Sequence, residues 1–554
     1  MSCFSKVWEK DEEFSTLAQS IDTLGAPVGV IGLADINKVH AVHSLCEKTG
    51  KKAFIITPDE ASAVRFFENL SQFQQGVFLY PKREFTLLDV EGISREYEQI
   101  RLGVLSKIID GNYTAVVASA AAAAQYTMPP QALKERSFKI SSGDEIDLDD
   151  MAARLVKAGY SRFDQVDGTS QFSIRGGLLD IFPPGADDPV RIELWGDTVD
   201  SITKFDIATQ RRTDMVNSVE IIPSTEVLFN SREEQAKKID TLAAGLKGKA
   251  TKAREKLYQD SDRLKQGINL RCNDKYLPLA YDSKGIFDYF EGTLFVCESA
   301  KIKEKTLSQT KLMNEEIKWL LNDGNLCKGI DKFALDFEDL CAVYESCAAV
   351  YMDSLPRGSF DTPVRHLANF VCESFNAWSG TLSQLKDDLF PLLKTNYAVC
   401  IMAGTSRAGK ALAYDIGEMG FDAVFCENRP AEFRRGQVTV LTGTLSNGFR
   451  MSSCKFALIT HTKSNQSRKK HKKVSAKDAI HSLDELSPGD YIVHNVHGIG
   501  VFEGIHSLDI KGVKKDYIKI SYAKGDTLYV PVTQLDLVSK YICLLYTSPS
   551  PRDR

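Results

Sequence analysis

One stretch of the sequence carries nearly all the residues of a phosphate-binding loop. Gly404-Thr405-Ser406-Arg407-Ala408-Gly409-Lys410-Ala411 follows a strand-like apolar run and departs from the pattern G-x-x-x-x-G-K-[ST] only at its last residue. In that pattern a hydroxyl group holds Mg²⁺, and Ala411 has none. No strand in this region ends in a plausible acidic metal ligand. We therefore predict a plain strand-to-helix turn and keep as the alternative a nucleotide hydrolase that uses Gly404 to Lys410.

The first strand-to-helix turn of the chain is the other place where a phosphate could bind. The run from Gly29 to Lys38 lacks the second glycine and the Gly-Lys pair of the loop, and Asp35 puts a negative charge where phosphate would sit. Glycines are needed there because backbone N–H groups must wrap the phosphates. The sequence predicts that this first domain does not bind ATP.

The residues that could hold a metal do not form a set. His494 and His497 lie close in sequence without a third ligand. The twelve cysteines are scattered and contain no C-x-x-C pair, which favours reduced, buried thiols over zinc or disulfides. Met1 to Lys10 has no apolar signal-peptide core, and no run of about eighteen apolar residues suggests a membrane span. We expect a cytoplasmic protein with no metal and no membrane contact.

Arginines and an aromatic residue recur in a segment of short alternating runs between Gly159 and Gln210. Period-two alternation broken by Gly-Gly, Pro-Pro-Gly and Gly-Asp is typical of a small antiparallel β unit. Arg162, Arg175 and Arg191 could form ordinary surface ion pairs, which are weak. The alternative is a recognition face, because Arg and aromatic residues such as Phe182 anchor protein interfaces. The residue pattern alone does not identify a partner.

Two runs in this segment resemble a known domain. RGGLLDIFPP from Arg175 and VRIELWGDTVDSITKFD from Val190 resemble the inserted domain shared by the excision-repair protein UvrB and the transcription-repair coupling factor (Mfd) family. In that family the domain binds the damage sensor UvrA. The resemblance implies a UvrA-binding surface, for which our candidate residues are Arg162, Arg175, Phe182 and Arg191.

The flanking regions resemble the rest of a UvrB-like module. Strand-like and helical patterns alternate from Val28, which indicates a parallel α/β layer, and the order of elements is similar to UvrB through Leu294–Ser299. In UvrB the corresponding last strand ends in an acidic pair that serves Mg²⁺ and water. Here Cys297 replaces the first acid, and a lone Glu298 is a poor Mg²⁺ site. This agrees with the coupling-factor family, whose N-terminal module has lost its ATPase, and implies no cofactor.

The last part of the chain resembles a second domain of the same family. GDYIVHNVHGIGVFEGI from Gly489 and DYIKISYAKGDTLYVPVTQLDLVSKYI from Asp516 resemble the RNA-polymerase-interacting domain, which is related to CarD-type regulators. Family members bind the β subunit of RNA polymerase through this unit. The resemblance places the family's apolar contact on Leu508, followed by Asp509 and Ile510. We expect these residues on or beside an open sheet edge, where a partner strand can pair.

The predicted fold is a multidomain α/β chain: a UvrB-like α/β module with an inserted, mainly antiparallel β domain, a second small α/β domain, and a C-terminal small all-β domain of the CarD/Tudor-like type. The predicted boundaries are 1–130 and 213–334 for the two parts of the UvrB-like domain, 131–212 for the insertion, 335–461 for the small α/β domain, 462–480 for a basic linker and 481–542 for the last domain. Residues 543–554 have no counterpart in the family and are expected to be a non-native tail.

The resemblance implies a transcription-coupled repair factor that links stalled RNA polymerase to UvrA. Intact family members are ATP-driven double-stranded DNA translocases that displace the polymerase. We expect their motor, with its ATP and Mg²⁺, to be missing here, so that the chain is non-catalytic by itself. The net charge of -5 argues against a general DNA-binding coat, although the basic linker could touch phosphate. A CarD-like regulator without repair function is a further alternative, but it leaves the UvrB-like half unexplained.

Overall fold

The computed structural model describes residues 1–88, 95–207, 209–246, 250–270, 272–378, 381–461, 486, 488–494, 498–510, 513–522, 526–532 and 537–540. The predicted basic linker at 462–480, the predicted tail at 543–554 and the candidate metal ligand His497 lie outside these residues. Within them, no helix combines the length and the apolar composition needed to cross a membrane.

The first part of the chain alternates short buried strands with helices. Its elements are α1 (Cys3–Lys6), α2 (Glu12–Thr23), β1 (Val28–Ile31), α3 (Asp35–Thr49), β2 (Ala53–Thr57), α4 (Glu60–Leu70), β3 (Val77–Tyr80), α5 (Glu96–Ile109), β4 (Ala115–Ser119), α6 (Ala120–Ala124) and α7 (Pro130–Arg136). Local signals set the helix ends: Asp59 caps the start of α4, accepting a hydrogen bond from the Ser62 N–H at 2.8 Å, and Gly50 ends α3 in the left-handed conformation.

The inserted unit follows α7 and is mostly β structure. Its elements are β5 (Phe138–Ser141), α8 (Leu148–Lys157), β6 (Ser161–Arg162), β7 (Gln171–Arg175), β8 (Leu178–Ile181), β9 (Val190–Trp195), β10 (Thr198–Phe205), β11 (Arg212–Val216) and β12 (Ser218–Ile221). The sheet order is β11-β10-β9-β8-β7-β6, antiparallel except where β6 meets β7. The prediction of a mainly antiparallel insertion is confirmed. Because β5 pairs with β12, the unit closes at 138 and 221, which differs from the predicted 131–212.

The chain then returns to the first sheet. The elements are α9 (Arg232–Gly245), α10 (Thr251–Lys265), α11 (Leu277–Ala280), β13 (Thr293–Cys297), α12 (Ser299–Asp323), α13 (Phe337–Ser346), β14 (Val350–Asp353) and β15 (His366–Asn369). The seven-stranded sheet has the order β15-β1-β14-β13-β2-β4-β3, and all its strands are parallel. The parallel α/β prediction is therefore confirmed. The predicted boundary at 335 differs from the structure, since β14 and β15 both pair with β1.

A second α/β sheet comes next. Its elements are β16 (Cys372–Asn376), α14 (Leu382–Lys394), β17 (Ala398–Met402), α15 (Ser406–Glu418), β18 (Ala423–Phe425), β19 (Val438–Leu441), β20 (Asn447–Met451) and β21 (Phe456–Thr460). The strand order is β16-β20-β21-β17-β19-β18. One of its faces packs against the N-terminal helices, so that Phe4 and Trp8 share a hydrophobic core with Phe449 and Phe456. The two sheets are thus joined by a common core.

The C-terminal unit is a five-stranded antiparallel sheet, and the predicted small all-β domain is confirmed. It contains β22 (Tyr491–His494), β23 (Gly498–Ile510), β24 (Val513–Ser521), β25 (Thr527–Pro531) and β26 (Val538–Lys540), in the order β25-β24-β23-β22-β26. Period-two alternation places Ile518 and Ile520 on one face of β24, where they form a buried cluster with Leu528 and Val530 of β25.

Candidate partner-binding surfaces and the Lys38 cluster

Asp180 in β8 holds two of the predicted UvrA-contact arginines. Its carboxylate is fully buried and accepts hydrogen bonds from Arg191 Nε at 2.8 Å, Arg191 Nη2 at 2.8 Å and Arg175 Nη2 at 2.6 Å. The hydrogen bonds to Asp180 raise the pKa of Arg191. The side chain of Arg191 is only 13 % exposed and lies over the Phe205 ring, whereas Arg175 is 46 % exposed. Arg191 therefore neutralises a buried acid, and Arg175 keeps donors free for a partner.

Phe182 and Arg162 do not take part in this ion-pair network. Phe182 is 7 % exposed and packs with Val166 and Phe205 in a small hydrophobic cluster. Its ring thus serves the packing of the inserted unit and is not offered at the surface. Arg162 is exposed on β6, the edge strand of the sheet. The structure does not bring Arg162 next to Asp180, and its contact with UvrA stays a prediction.

The sequence interpretation missed the most exposed large hydrophobic side chain among the described residues of the inserted unit. Trp195, at the end of β9, is 85 % exposed. Because Val190 and Ile192 of the same strand are buried, strand alternation puts Arg191, Glu193 and Trp195 on the opposite face. The alternation of β9 carried this signal in the sequence.

Register extends this face across neighbouring strands. Asp180 of β8 pairs with Arg191 of β9, and Arg191 pairs with Thr203 of β10. Thr203 in turn pairs with the exposed Met215 of β11. Paired residues of antiparallel strands share a face. We call the surface formed by Arg175, Asp180, Arg191, Glu193, Trp195 and Met215 the outer sheet face. It combines exposed apolar side chains with arginine, which is the composition of interface hot spots.

The predicted polymerase contact lies on a long strand that is only partly covered. β22 pairs with β23 over Gly498–Val501 alone, while β24 pairs with β23 from Val501 to Ile510. Among the described strands, β23 therefore has one hydrogen-bonded neighbour from Ile505 onward. Leu508 is in this part, opposite Lys515, with Asp509 opposite Lys514 and Ile510 opposite Val513. The backbone edge at Leu508 is free of a described strand, as β-strand addition requires.

The motif from Gly404 to Lys410 is helical. α15 begins at Ser406 with Thr405 as its N-cap, and the Gly409 N–H donates to Thr405 O at 2.9 Å. Gly409 packs so closely on Phe425 that a Cβ atom there would lie 2.5 Å from the ring. Lys410 lies over the same ring, 5.7 Å from its centroid. These residues make a plain strand-to-helix turn rather than a loop that wraps phosphate.

A second partial match to the phosphate-loop pattern includes Lys38, which lies in the first turn of α3. Gly32 and Lys38 have the spacing of the first glycine and the lysine of the phosphate-loop pattern, and Asn37 and Val39 replace the other two defining residues. The Lys38 side chain is 1 % exposed. Its ammonium donates to Ser354 Oγ at 2.8 Å, to Asp35 Oδ1 at 3.2 Å and to Glu298. We call Lys38, Asp35, Glu298 and Ser354 the Lys38 cluster.

The positive charge of Lys38 is neutralised within the Lys38 cluster. Burial acts to raise the pKa of Glu298, but the Lys38 ammonium and the Ser354 hydrogen bonds outweigh it and lower that pKa to about 2. For Lys38, burial acts to lower the pKa, and Cys297, Glu298 and Asp35 together raise it. The ammonium is therefore charged and already neutralised. The residues present do not fit a nucleotide phosphate, because two carboxylates already face the lysine.

Two family models match the residue ranges that contain these two surfaces. Residues 138–227 match the family model of the UvrB interaction domain, and residues 486–542 match that of the CarD-like/TRCF RID domain. The chain is 32 % identical over 516 residues to the transcription-repair-coupling factor of Bacillus subtilis (strain 168), which covers 90 % of this chain and 44 % of that protein.

More distant relatives carry the same name. The transcription-repair-coupling factor of Staphylococcus aureus (strain MRSA252) is 26 % identical over 563 residues, and that of Staphylococcus epidermidis (strain ATCC 12228 / FDA PCI 1200) is 26 % identical over 537 residues. These matches cover 98 % and 94 % of this chain, but 47 % and 45 % of those proteins. The chain spans less than half the length of the curated relatives it matches. The predicted resemblance to coupling factors is confirmed.

Proposed function

We propose that this chain, whose relatives are transcription-repair-coupling factors, links stalled RNA polymerase to the excision-repair protein UvrA. The observation that carries the proposal is the presence, in one chain, of a UvrB interaction domain with an exposed outer sheet face and a CarD-like/TRCF RID domain with an open strand edge. Both proposed partners act in the cytoplasm, where we place the chain. It acts as an adaptor, and the two surfaces bind independently.

The UvrA side of the adaptor is the outer sheet face. Trp195 supplies a large apolar contact with little conformational entropy to lose, and Arg175 supplies donors for a carboxylate. Arg191 forms hydrogen bonds with Asp180 of β8, and Asp180 also accepts one from Arg175. The role of Arg191 is therefore to fix the positions of β8 and Arg175. We expect Trp195→Ala to weaken UvrA binding at least tenfold, since alanine replacement of a buried interface tryptophan costs about 2 kcal/mol or more.

The polymerase side is the β23 edge near Leu508. We propose that a strand of the polymerase β subunit adds to this edge, with main-chain hydrogen bonds giving affinity and an apolar contact at Leu508 fixing the register. Arginine at this position would place a charge in the contact, and it would leave the buried residues Ile518 and Ile520 unchanged.

The adaptor function is tested by capture. Immobilised RNA polymerase is incubated with purified UvrA, with and without this chain, and the retained UvrA is measured. We expect UvrA to be retained only when the chain is present. Trp195→Ala should abolish UvrA retention while the chain itself remains bound, and Leu508→Arg should abolish both. UvrA retention that survives both substitutions, or that needs no chain, would refute the proposal.

A further inference from the structure

Lys38 is an unusual lysine because it is buried at the carboxyl edge of a parallel sheet. This edge, where a strand turns into the N-terminus of a helix, is the place where α/β proteins bind phosphate. α3 begins at Asp35, so Lys38 belongs to its first turn. The Lys38 ammonium therefore occupies a position suited to binding an anion. In this structure the anion is the Glu298 carboxylate.

Glu298 reaches Lys38 from a backbone conformation that few residues adopt. It has φ 60° and ψ 58° and precedes the first turn of α12. A left-handed conformation in a residue other than glycine costs of order 1–3 kcal/mol, and it persists only where the surroundings hold it in place. Here the Glu298 N–H donates to Met352 O at 3.0 Å, and the Ser354 N–H donates to Glu298 Oε1 at 3.0 Å. The fold thus directs this carboxylate toward Lys38.

The neighbouring part of this sheet edge is closed by contacts within the chain. At the end of β14, Asp353 accepts hydrogen bonds from the Ser299 N–H at 2.8 Å and the Ser299 hydroxyl at 2.9 Å, and Arg357 contacts both residues. Beside Lys38, the amide of Asn37 is fully buried, and neither its Nδ2 nor its Oδ1 has a hydrogen-bond partner among the described residues. A buried amide without a partner leaves hydrogen-bonding capacity that a bound water or ion can fill.

We propose that the Lys38 cluster is a phosphate-type anion site whose occupant is the chain's own Glu298 carboxylate. In place of a bound nucleotide, this side chain joins the helix-bearing ends of β1, β13 and β14. The site stays closed to free phosphate as long as Glu298 is present, and the UvrB-like module keeps one conformation without a nucleotide. Truncating Glu298 should open the site to inorganic phosphate. The proposal is independent of the adaptor function.

The test uses the full chain with Glu298→Ala and measures thermal unfolding in sodium phosphate against sodium chloride of equal ionic strength. Loss of the buried pair should lower the Tm by several degrees. Phosphate at tens of millimolar should restore at least half of that loss, because ligand binding to the folded state raises stability. Phosphate also stabilises proteins generally, so the shift is taken relative to the parent chain in the same buffers.

Two controls decide the outcome. The double variant Lys38→Met with Glu298→Ala should show no phosphate-specific rise in Tm. Glu304→Ala changes an exposed glutamate of α12, and its Tm should respond to phosphate as that of the parent chain does. Titration calorimetry with pyrophosphate should detect binding to Glu298→Ala alone. The proposal would be overturned if phosphate shifted the Tm of all variants equally, or if the parent chain bound pyrophosphate. If Glu298→Ala does not fold, Glu298→Gln is used instead. A Glu298→Gln chain that gains no stability from phosphate would also overturn the proposal.

Discussion

Asp180 accepts hydrogen bonds from two arginines that differ in exposure, and this difference separates a packing role from a binding role. Arg191 is bidentate and nearly buried, while Arg175 makes one hydrogen bond and is half exposed. Removing one partner of a buried ion pair leaves an uncompensated charge, but exposed pairs contribute little to stability. The two arginines should therefore respond differently to substitution.

We predict that Arg191→Ala lowers the free energy of unfolding by roughly 2–4 kcal/mol, because Asp180 keeps only Arg175. Arg175→Ala should cost about 1 kcal/mol or less. Arg175→Glu should weaken UvrA binding, as expected of an arginine that meets carboxylates. Urea denaturation and a UvrA titration separate the two effects. The charge-reversal control is Lys139→Glu, an exposed change on β5 away from the outer sheet face. Equal UvrA affinity for Arg175→Glu and Lys139→Glu would reject the role of Arg175.

His40 is a second residue whose contacts give a measurable prediction. It accepts a hydrogen bond from Trp8 Nε1 at 3.1 Å, and its Nε2–H donates to Phe4 O at 2.8 Å. Complete burial lowers its pKa from 6.5 to about 3. The folded state therefore binds fewer protons than the unfolded state below pH 6.5. The stabilising contribution is complete above pH 6.5 and is lost as the pH falls from there toward 3.

Over that range we expect His40 to remove up to about 1.4 kcal/mol of stability per pH unit. The measurement is the urea midpoint at pH 7.5 and pH 5.0 for the parent chain and for His40→Gln. The parent chain should lose more stability between the two pH values than the variant does, because glutamine does not titrate. The same pH dependence in both chains would show that His40 is not the titrating group.

At the scale of elements, α15 illustrates how packing decides the meaning of a motif. The segment resembles a phosphate loop, but helix formation from Ser406 places Gly409 against Phe425 of β18. A glycine is needed there for close approach of helix and strand rather than for phosphate. The Ala408 and Gly409 N–H groups donate to Thr405 at the start of the helix and are therefore not free to bind a phosphate.

We predict that Gly409→Ala destabilises the second sheet by about 1–3 kcal/mol through overpacking on Phe425. Phe425→Leu combined with Gly409→Ala should recover part of this loss, because the smaller side chain leaves room for the methyl group. Thermal unfolding of the single and double variants tests this. In parallel, Lys410→Ala should leave the response to a fluorescent ATP analogue unchanged. Micromolar, Mg²⁺-dependent binding that Lys410→Ala abolishes would instead support the nucleotide hydrolase alternative.

At the scale of the whole molecule, the two proposed binding surfaces lie in a sequence without a complete phosphate-loop motif. The sequence contains no G-x-x-x-x-G-K-[ST], and the nearest match is helical. The proposed adaptor function predicts that the chain occupies a site on RNA polymerase through its β23 edge. It should therefore compete with an intact coupling factor for the same β-subunit strand.

We predict that the chain inhibits release of a stalled elongation complex by an intact coupling factor and ATP, in proportion to its concentration. Leu508→Arg should relieve the inhibition. The matched control is Ile499→Arg, which adds the same charge to an exposed position of β23 where β22 covers the strand edge, and which should inhibit like the parent chain. Release of the complex by this chain alone with ATP would contradict the predicted inhibition.

Local pattern in the sequence determined the elements and the two recognisable domains. Strand-to-helix alternation identified the parallel layer, and period-two alternation identified the inserted and C-terminal β units, because side-chain periodicity follows directly from backbone geometry. The alternation of β9 also determined which side of the strand Trp195 is on. These are properties of residues close together in the chain.

Only the tertiary structure decided which distant residues meet. β14 and β15 lie within the range predicted for the small α/β domain, yet they pair with β1, more than 300 residues away in sequence. Phe182 and Arg191 look like surface residues, yet packing from other strands covers them. Glu298 looks like the remnant of a metal site, yet it neutralises Lys38 across 260 residues. Such contacts depend on strand order and on the burial that results from it, and periodicity within one element carries no information about either.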